Sequence, residues 1–148
     1  MKKTHLQQFL KSHNKLHDSF NYSLAHYRYY LYYHNSLHFL LRTHIRQQIT
    51  FRIAIMNQRC YNNGSCIHCG CQTTQLQMSN HTCEGKEYPP LLSAPSWNLF
   101  KKGLTKITHR RSGTVWSIDL KSPIPRLIIK SPNIPITETN FSMDLITT

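Results

Sequence analysis

Stepping alternately by four and three residues from Leu6 meets Leu10, His13, His17, Phe20, Leu24, Tyr27, Leu31, His34, His38, Leu41, Ile45, Gln48, Arg52 and Ile55. A recurrence of 3.5 residues marks one side of a helix. Residues 1–63 contain neither proline nor glycine, so no residue in that stretch breaks a helix by its backbone chemistry. The pattern predicts helix over most of residues 5–57, as one long helix or as two meeting near Asn21 or Asn35. Leu6, Leu10, Phe20, Leu24, Leu31, Leu41 and Ile45 would share its apolar side. Four histidines, a glutamine and an arginine also occupy the seam, which argues against a tight two-stranded coiled coil and for packing on a partner or on the rest of the chain. Tyr22, Tyr27, Tyr29, Tyr30, Tyr32 and Tyr33 surround the seam and put aromatic surface on several faces.

Residues 20–41 are apolar enough to raise the question of a membrane span, but Asn21, His26, Arg28, His34, Asn35 and His38 interrupt them. A charged group at the bilayer centre costs roughly 2.5 to 3.5 kcal/mol on insertion scales, so no spanning helix is expected.

The character of the chain changes after residue 58. All seven prolines lie from Pro89 onward, and short alternating runs replace the helical period. Residues 88–95 are too rich in proline for a helix interior; Ser96 is placed to cap a short helix ending near Gly103. Residues 104–108 and 114–120 read as two strands of a hairpin, residues 126–130 as an edge strand, and residues 137–148 as a poorly ordered tail. The expected class is small α+β: a helical arm over residues 1–58, a zinc-knuckle-like, cysteine-rich loop over 59–90, a short helix and β-hairpin over 91–136, and an irregular tail over 137–148.

All five cysteines fall within residues 59–90. Cys66 and Cys69 form a C-x2-C step with Gly70 directly after it, Cys71 follows, and Cys83 returns from a polar excursion. Two intervening residues let one tight turn aim both sulfurs at a tetrahedral ion, and a glycine behind the second accepts the positive φ of that turn. Cys66, Cys69 and Cys83 are the expected zinc ligands, with Cys71 or Cys60 as the fourth and His81 or His68 in reserve. Four ligands describe a closed, structural zinc site. An odd cysteine count and no apolar run behind the opening MKKTHLQQ favour a reducing, cytoplasmic setting over a disulfide framework. The pairs His13 with His17 and His34 with His38 have the i, i+4 spacing of a metal clamp, but neither carries the H-E-x2-H pattern of a zincin; they are expected to be seam residues.

The run CIHCGC, followed by Cys83, the Glu84-Gly85-Lys86 turn and Tyr88-Pro89-Pro90, resembles cysteine-rich stretches of small uncharacterised proteins of tailed bacteriophages. That resemblance, confined to residues 59–90, implies a small zinc protein located in the host cytoplasm or the virion, and it carries over no catalytic residues.

Charge points to the partner. Eighteen lysines and arginines face six acids, and no Asp or Glu occurs between Asp18 and Glu84. Lys101, Lys102, Lys106, Arg110 and Arg111 cluster around the expected hairpin tip, while Arg28, Arg42, Arg46, Arg52 and Arg59 run along the arm among aromatics. Such residues neutralise phosphates, and tyrosines stack on bases. With no P-loop, no nucleophile elbow and no dinucleotide fingerprint, an enzyme is not expected. The expected role is a zinc-stabilised accessory protein that binds nucleic acid, DNA or RNA, through phosphate contacts. The alternative is a structural or assembly component of a phage particle, a virion component that self-associates or meets other phage proteins through the helical arm.

Overall fold

The computed structural model describes residues 15–34, 36–68, 70, 78–82 and 85–147. The arm is two helices, α1 over Lys15–Tyr33 and α2 over Thr43–Arg59, separated by a 3-10 turn at His38–Leu40. Tight i to i+3 hydrogen bonds, Leu37 N to His34 O and Leu40 N to Leu37 O, carry the chain between them. The break falls beside Asn35, one of the two expected joints. It also separates His34 from His38, which therefore do not share a helical face. The part of the predicted helix before Lys15, with Leu6, Leu10 and His13, lies outside the described residues.

The seam holds on α2 and, on α1, at Leu31 but not at Tyr27. Tyr27 is 58% exposed, whereas Ala25, Arg28 and Leu31 are buried. Ala25 and Leu31 form a small apolar cluster with Leu41, Ile49 and Met78. Arg28 turns inward beside them and donates to the Met78 carbonyl at 2.9 Å.

Helix α2 is covered on several sides, because it serves two cores. Ile49 packs toward α1. Phe51 and Ile55 enter the larger core with Trp97 and Phe100 of α3 (Ala94–Lys101), with Trp116, Ile118, Leu127 and Ile129 of the sheet, and with Phe141 and Ile146 beyond it.

Two short strands, β1 (Tyr61–Asn62) and β2 (Ser65–Cys66), make a hairpin after α2. The strands β3 (Ile107–Thr108), β4 (Val115–Asp119), β5 (Arg126–Ser131) and β6 (Ile134–Asn140) form an antiparallel meander in that order. The expected β3–β4 hairpin is present, with Ile107 opposite Trp116 and Thr108 opposite Val115.

Three expectations need correction. Residues 126–130 are not an edge strand: β5 lies between β4 and β6. Residues 137–148 are not an unstructured tail, since β6 runs to Asn140 and helix α4 occupies Asp144–Thr147. Apolar burial explains this order, because Phe141 and Ile146 complete the larger core and α4 packs on α2. Pro135 is compatible with β6 because an outermost strand leaves one row of N–H groups unused. Finally, Ser93 rather than Ser96 caps α3: its Oγ accepts the Ser96 N–H and Pro95 sits in the first turn.

Candidate functional site

The cysteine-rich region begins as a tight hairpin. Asn63 and Gly64 both take positive φ, 51° and 81°, as a two-residue type I′ turn requires. Asn-Gly is the strongest short-range hairpin signal in a sequence, and the expectations above missed it. The pairing sets Tyr61 opposite Cys66, and Ile67 N donates to Cys60 O at 2.9 Å. Cys60, at the end of α2, directly precedes the partner of Cys66, and both cysteines are buried. Beyond Cys66 the chain turns back, with Gly70 N donating to Cys66 O at 2.9 Å. Gly70 has φ 71°, the conformation expected of the residue behind a C-x2-C turn. Cys69, Cys71 and Cys83 lie outside the described residues. Among the described residues no group of three or more His, Cys, Asp or Glu side chains is placed to hold a metal. His81 is exposed, and its carbonyl accepts from Ser79 Oγ at 3.0 Å.

The return path of this loop, residues 78–82 and 85–92, has little regular structure, so its backbone groups need other partners. Polar residues of the helical arm provide them. Arg28 Nη1 donates to Met78 O and Asn80 Oδ1, at 2.9 and 2.8 Å. Arg52 donates to Ser79 O and Pro89 O, and its guanidinium lies over the Tyr88 ring. Gln48 makes a reciprocal pair with Leu92, accepting from Leu92 N at 2.6 Å and donating to Leu92 O at 2.9 Å. Gln48 and Arg52, which looked like defects in the apolar seam, are the contacts that seat the loop. Arg28 and Arg52 are 8% and 1% exposed, which removes both from the set of phosphate-binding candidates. Burial also pulls the Arg28 guanidinium below its ordinary range.

Arg59 is committed as well. Its Nε donates to Glu87 at 2.7 Å, while the other Glu87 oxygen meets His68 Nε2 at 3.1 Å. The His68 ring lies against Gly85, where a Cβ would come within 2.1 Å of it.

The expected basic cluster divides. Arg110 and Arg111 are exposed in the β3–β4 turn and form no ion pair among the described residues. Lys102 and Lys106 are exposed too, but Lys106 lies at the other end of β3 from the turn. Lys101 is half-buried, its Nζ donating to Gln47 Oε1 at 3.1 Å. Lys86, from the cysteine-rich region, adds its charge at His109 to that of Arg111. Trp116 Nε1 donates to Lys86 O at 3.0 Å, which anchors that backbone to the hairpin. His109 reports the resulting field. Its pKa is lowered by partial burial first, then by the charges of Lys86 and Arg111. The Ser112 N–H donates to His109 Nδ1 at 3.2 Å, which favours the neutral ring with its proton on Nε2.

Three of the described acids sit elsewhere. Asp119 and Glu138 both bind Arg126, each at 2.6 Å, and Glu87 binds Arg59. A groove of about 600 Å³ between the end of α2 and β6 is lined by Arg59, Arg126, Glu138 and Asn140. Carboxylates cancel both of its arginines, so that groove is no phosphate site. Positive charge is left concentrated at the hairpin turn.

No helix among the described residues is long and apolar enough to cross a membrane. Compared with known proteins, the chain matches no family model, and no curated protein or solved structure is significantly similar to it.

Proposed function

We propose that this chain is a non-enzymatic, basic accessory protein that binds nucleic acid mainly through phosphates at the β3–β4 turn, with a zinc-stabilised loop holding that surface to the helices. The observation that carries the reading is the placement of Arg110 and Arg111, both exposed in the β3–β4 turn and in no ion pair among the described residues. Lys86 and Arg111 converge on His109 from separate parts of the chain, while Glu87, Asp119 and Glu138 are bound to Arg59 and Arg126. A phosphate approaching Arg110 and Arg111 therefore meets cations with little local repulsion.

Zinc fits the described part of the loop. Cys66 opens a turn that closes at Gly70, and Cys60 and Cys66 are both buried. Cys66, Cys69 and Cys83 would hold the ion with Cys60 or Cys71. The metal's contribution there is structural. It would tie residues 60–83 to the segment whose Lys86 completes the basic surface.

Affinity for a duplex or a single strand, measured as salt is raised, tests the reading. With about four phosphates neutralised, log K against log salt should have a slope of about −3 to −4. Replacing Arg110 and Arg111 by alanine should flatten the slope and weaken every sequence alike. A protein that ignores DNA, RNA and polyphosphate at low salt would refute it, and a virion assembly role would then be the better reading.

A further inference from the structure

Helix α1 presents two faces of opposite character. Tyr32 is tied inward, its hydroxyl bonded to Thr50 Oγ1 of α2 at 2.8 Å. Tyr29, Tyr30 and Tyr33 remain 40 to 54% exposed, and Phe39 in the 3-10 turn is 75% exposed. The tyrosine rings are grouped: Tyr29 and Tyr33 have centroids 4.8 Å apart, and Tyr30 meets the His34 ring at 5.0 Å. Large apolar groups gathered on a surface mark a place of contact.

Charge selects the occupant. No carboxylate occurs between Asp18 and Glu84, so neither the part of α1 after Asp18 nor the turn that follows contributes a group that repels phosphate. Arg42 is exposed just beyond Phe39, and its charge is close enough to help lower the pKa of His44. A second copy of the chain would bring another net charge of +12, which opposes association. A polyanion is attracted. Aromatic rings add something only when base faces are available, which a duplex conceals in its own stack.

We infer that α1 and the 3-10 turn form a stacking platform for unpaired nucleotides, with Tyr29, Tyr30, Tyr33 and Phe39 against bases and Arg42 against the linking phosphates. The inference rests on the phosphate-binding reading above and extends it to single-stranded DNA or RNA.

The test uses the full chain and a variant in which Tyr29, Tyr30, Tyr33 and Phe39 are all leucine, which keeps apolar area and helix propensity but removes the rings. Affinities are measured for a thymidine 20-mer, a uridine 20-mer, a 20-base-pair duplex and inorganic polyphosphate. The variant should bind both single strands at least about tenfold more weakly, in line with the usual value of a base–aromatic stack, and should bind duplex and polyphosphate as before. The two 20-mers separate DNA from RNA. Unchanged single-strand affinity in a folded variant overturns the platform and leaves phosphate binding standing. Failure of the wild type to bind any of the four ligands removes both readings. A lower mass in solution for the variant, at unchanged single-strand affinity, overturns the platform in favour of a second copy as occupant. Should the variant lose its helical circular dichroism, photocrosslinking of the wild type to a 5-iodouracil strand decides: adducts at the tyrosines of α1 or at Phe39 support the platform, and adducts confined to residues 109–111 overturn it.

Discussion

The guanidinium carbon of Arg52 stands 4.7 Å from the centroid of the Tyr88 ring, and both residues are almost completely buried. Arg52 also donates to the carbonyls of Ser79 and Pro89, so one side chain of α2 holds the return path of the cysteine-rich loop at three points. A planar guanidinium can stack and donate in two directions at once, which an ammonium cannot do.

Arg52→Met should therefore destabilise the protein by about 3 kcal/mol, because it keeps apolar bulk but leaves two carbonyls without their donor. Arg52→Lys should recover less than half of that loss. Denaturant unfolding followed by tryptophan fluorescence measures both, and a lysine variant as stable as wild type would show that charge alone suffices.

His68 and Gly85 form a second dependence. A Cβ on residue 85 would lie 2.1 Å from the His68 ring, so Gly85→Ala should displace the imidazole from Glu87 at a cost of about 1 to 3 kcal/mol. Adding His68→Ala should return part of that stability. A double variant no better than the single one would place the strain in the backbone.

Metal dependence is open to direct measurement. Purified under reducing conditions, the protein should carry one zinc, and Cys66→Ser should lose it. Structural zinc is worth roughly 10 to 16 kcal/mol of apparent binding free energy in small finger peptides, so a chelator should lower the midpoint of thermal unfolding sharply. Wild-type protein that holds no zinc and ignores chelator would remove the metal from the account.

His109 offers a probe of the basic surface. Its pKa lies below the usual histidine value, so the unfolded chain binds this proton more readily than the folded one. Stability should rise with pH through the window between the lowered value and about 6.5. Phosphate bound to Lys86 and Arg111 would offset two of the charges that hold the pKa down. Polyphosphate should therefore raise the His109 pKa, and Arg111→Ala should raise it without ligand. Both shifts are read by NMR titration, and a pKa indifferent to polyphosphate would place the binding surface elsewhere.

Features of this protein that depend on a few adjacent residues were legible in the sequence. The absence of glycine and proline through residue 63 marked the helical arm, alternation marked the β3–β4 hairpin, and the C-x2-C-G spacing anticipated the positive φ of Gly70. Arg28, Gln48 and Arg52 were different. Their spacing placed Gln48 and Arg52 in the apolar seam, but their purpose depends on residues 78–92, which arrive from 27 to 52 positions away to present bare carbonyls. The same holds for Phe141 and Ile146, whose segment looked too short and too polar to be ordered until α2 and the sheet gave it a core to complete. Periodicity and φ requirements act within a few residues, and the sequence states them directly. Which polar groups are buried, which strand is interior and where lysines and arginines gather depend on what lies across from each residue, and only the tertiary structure decided that.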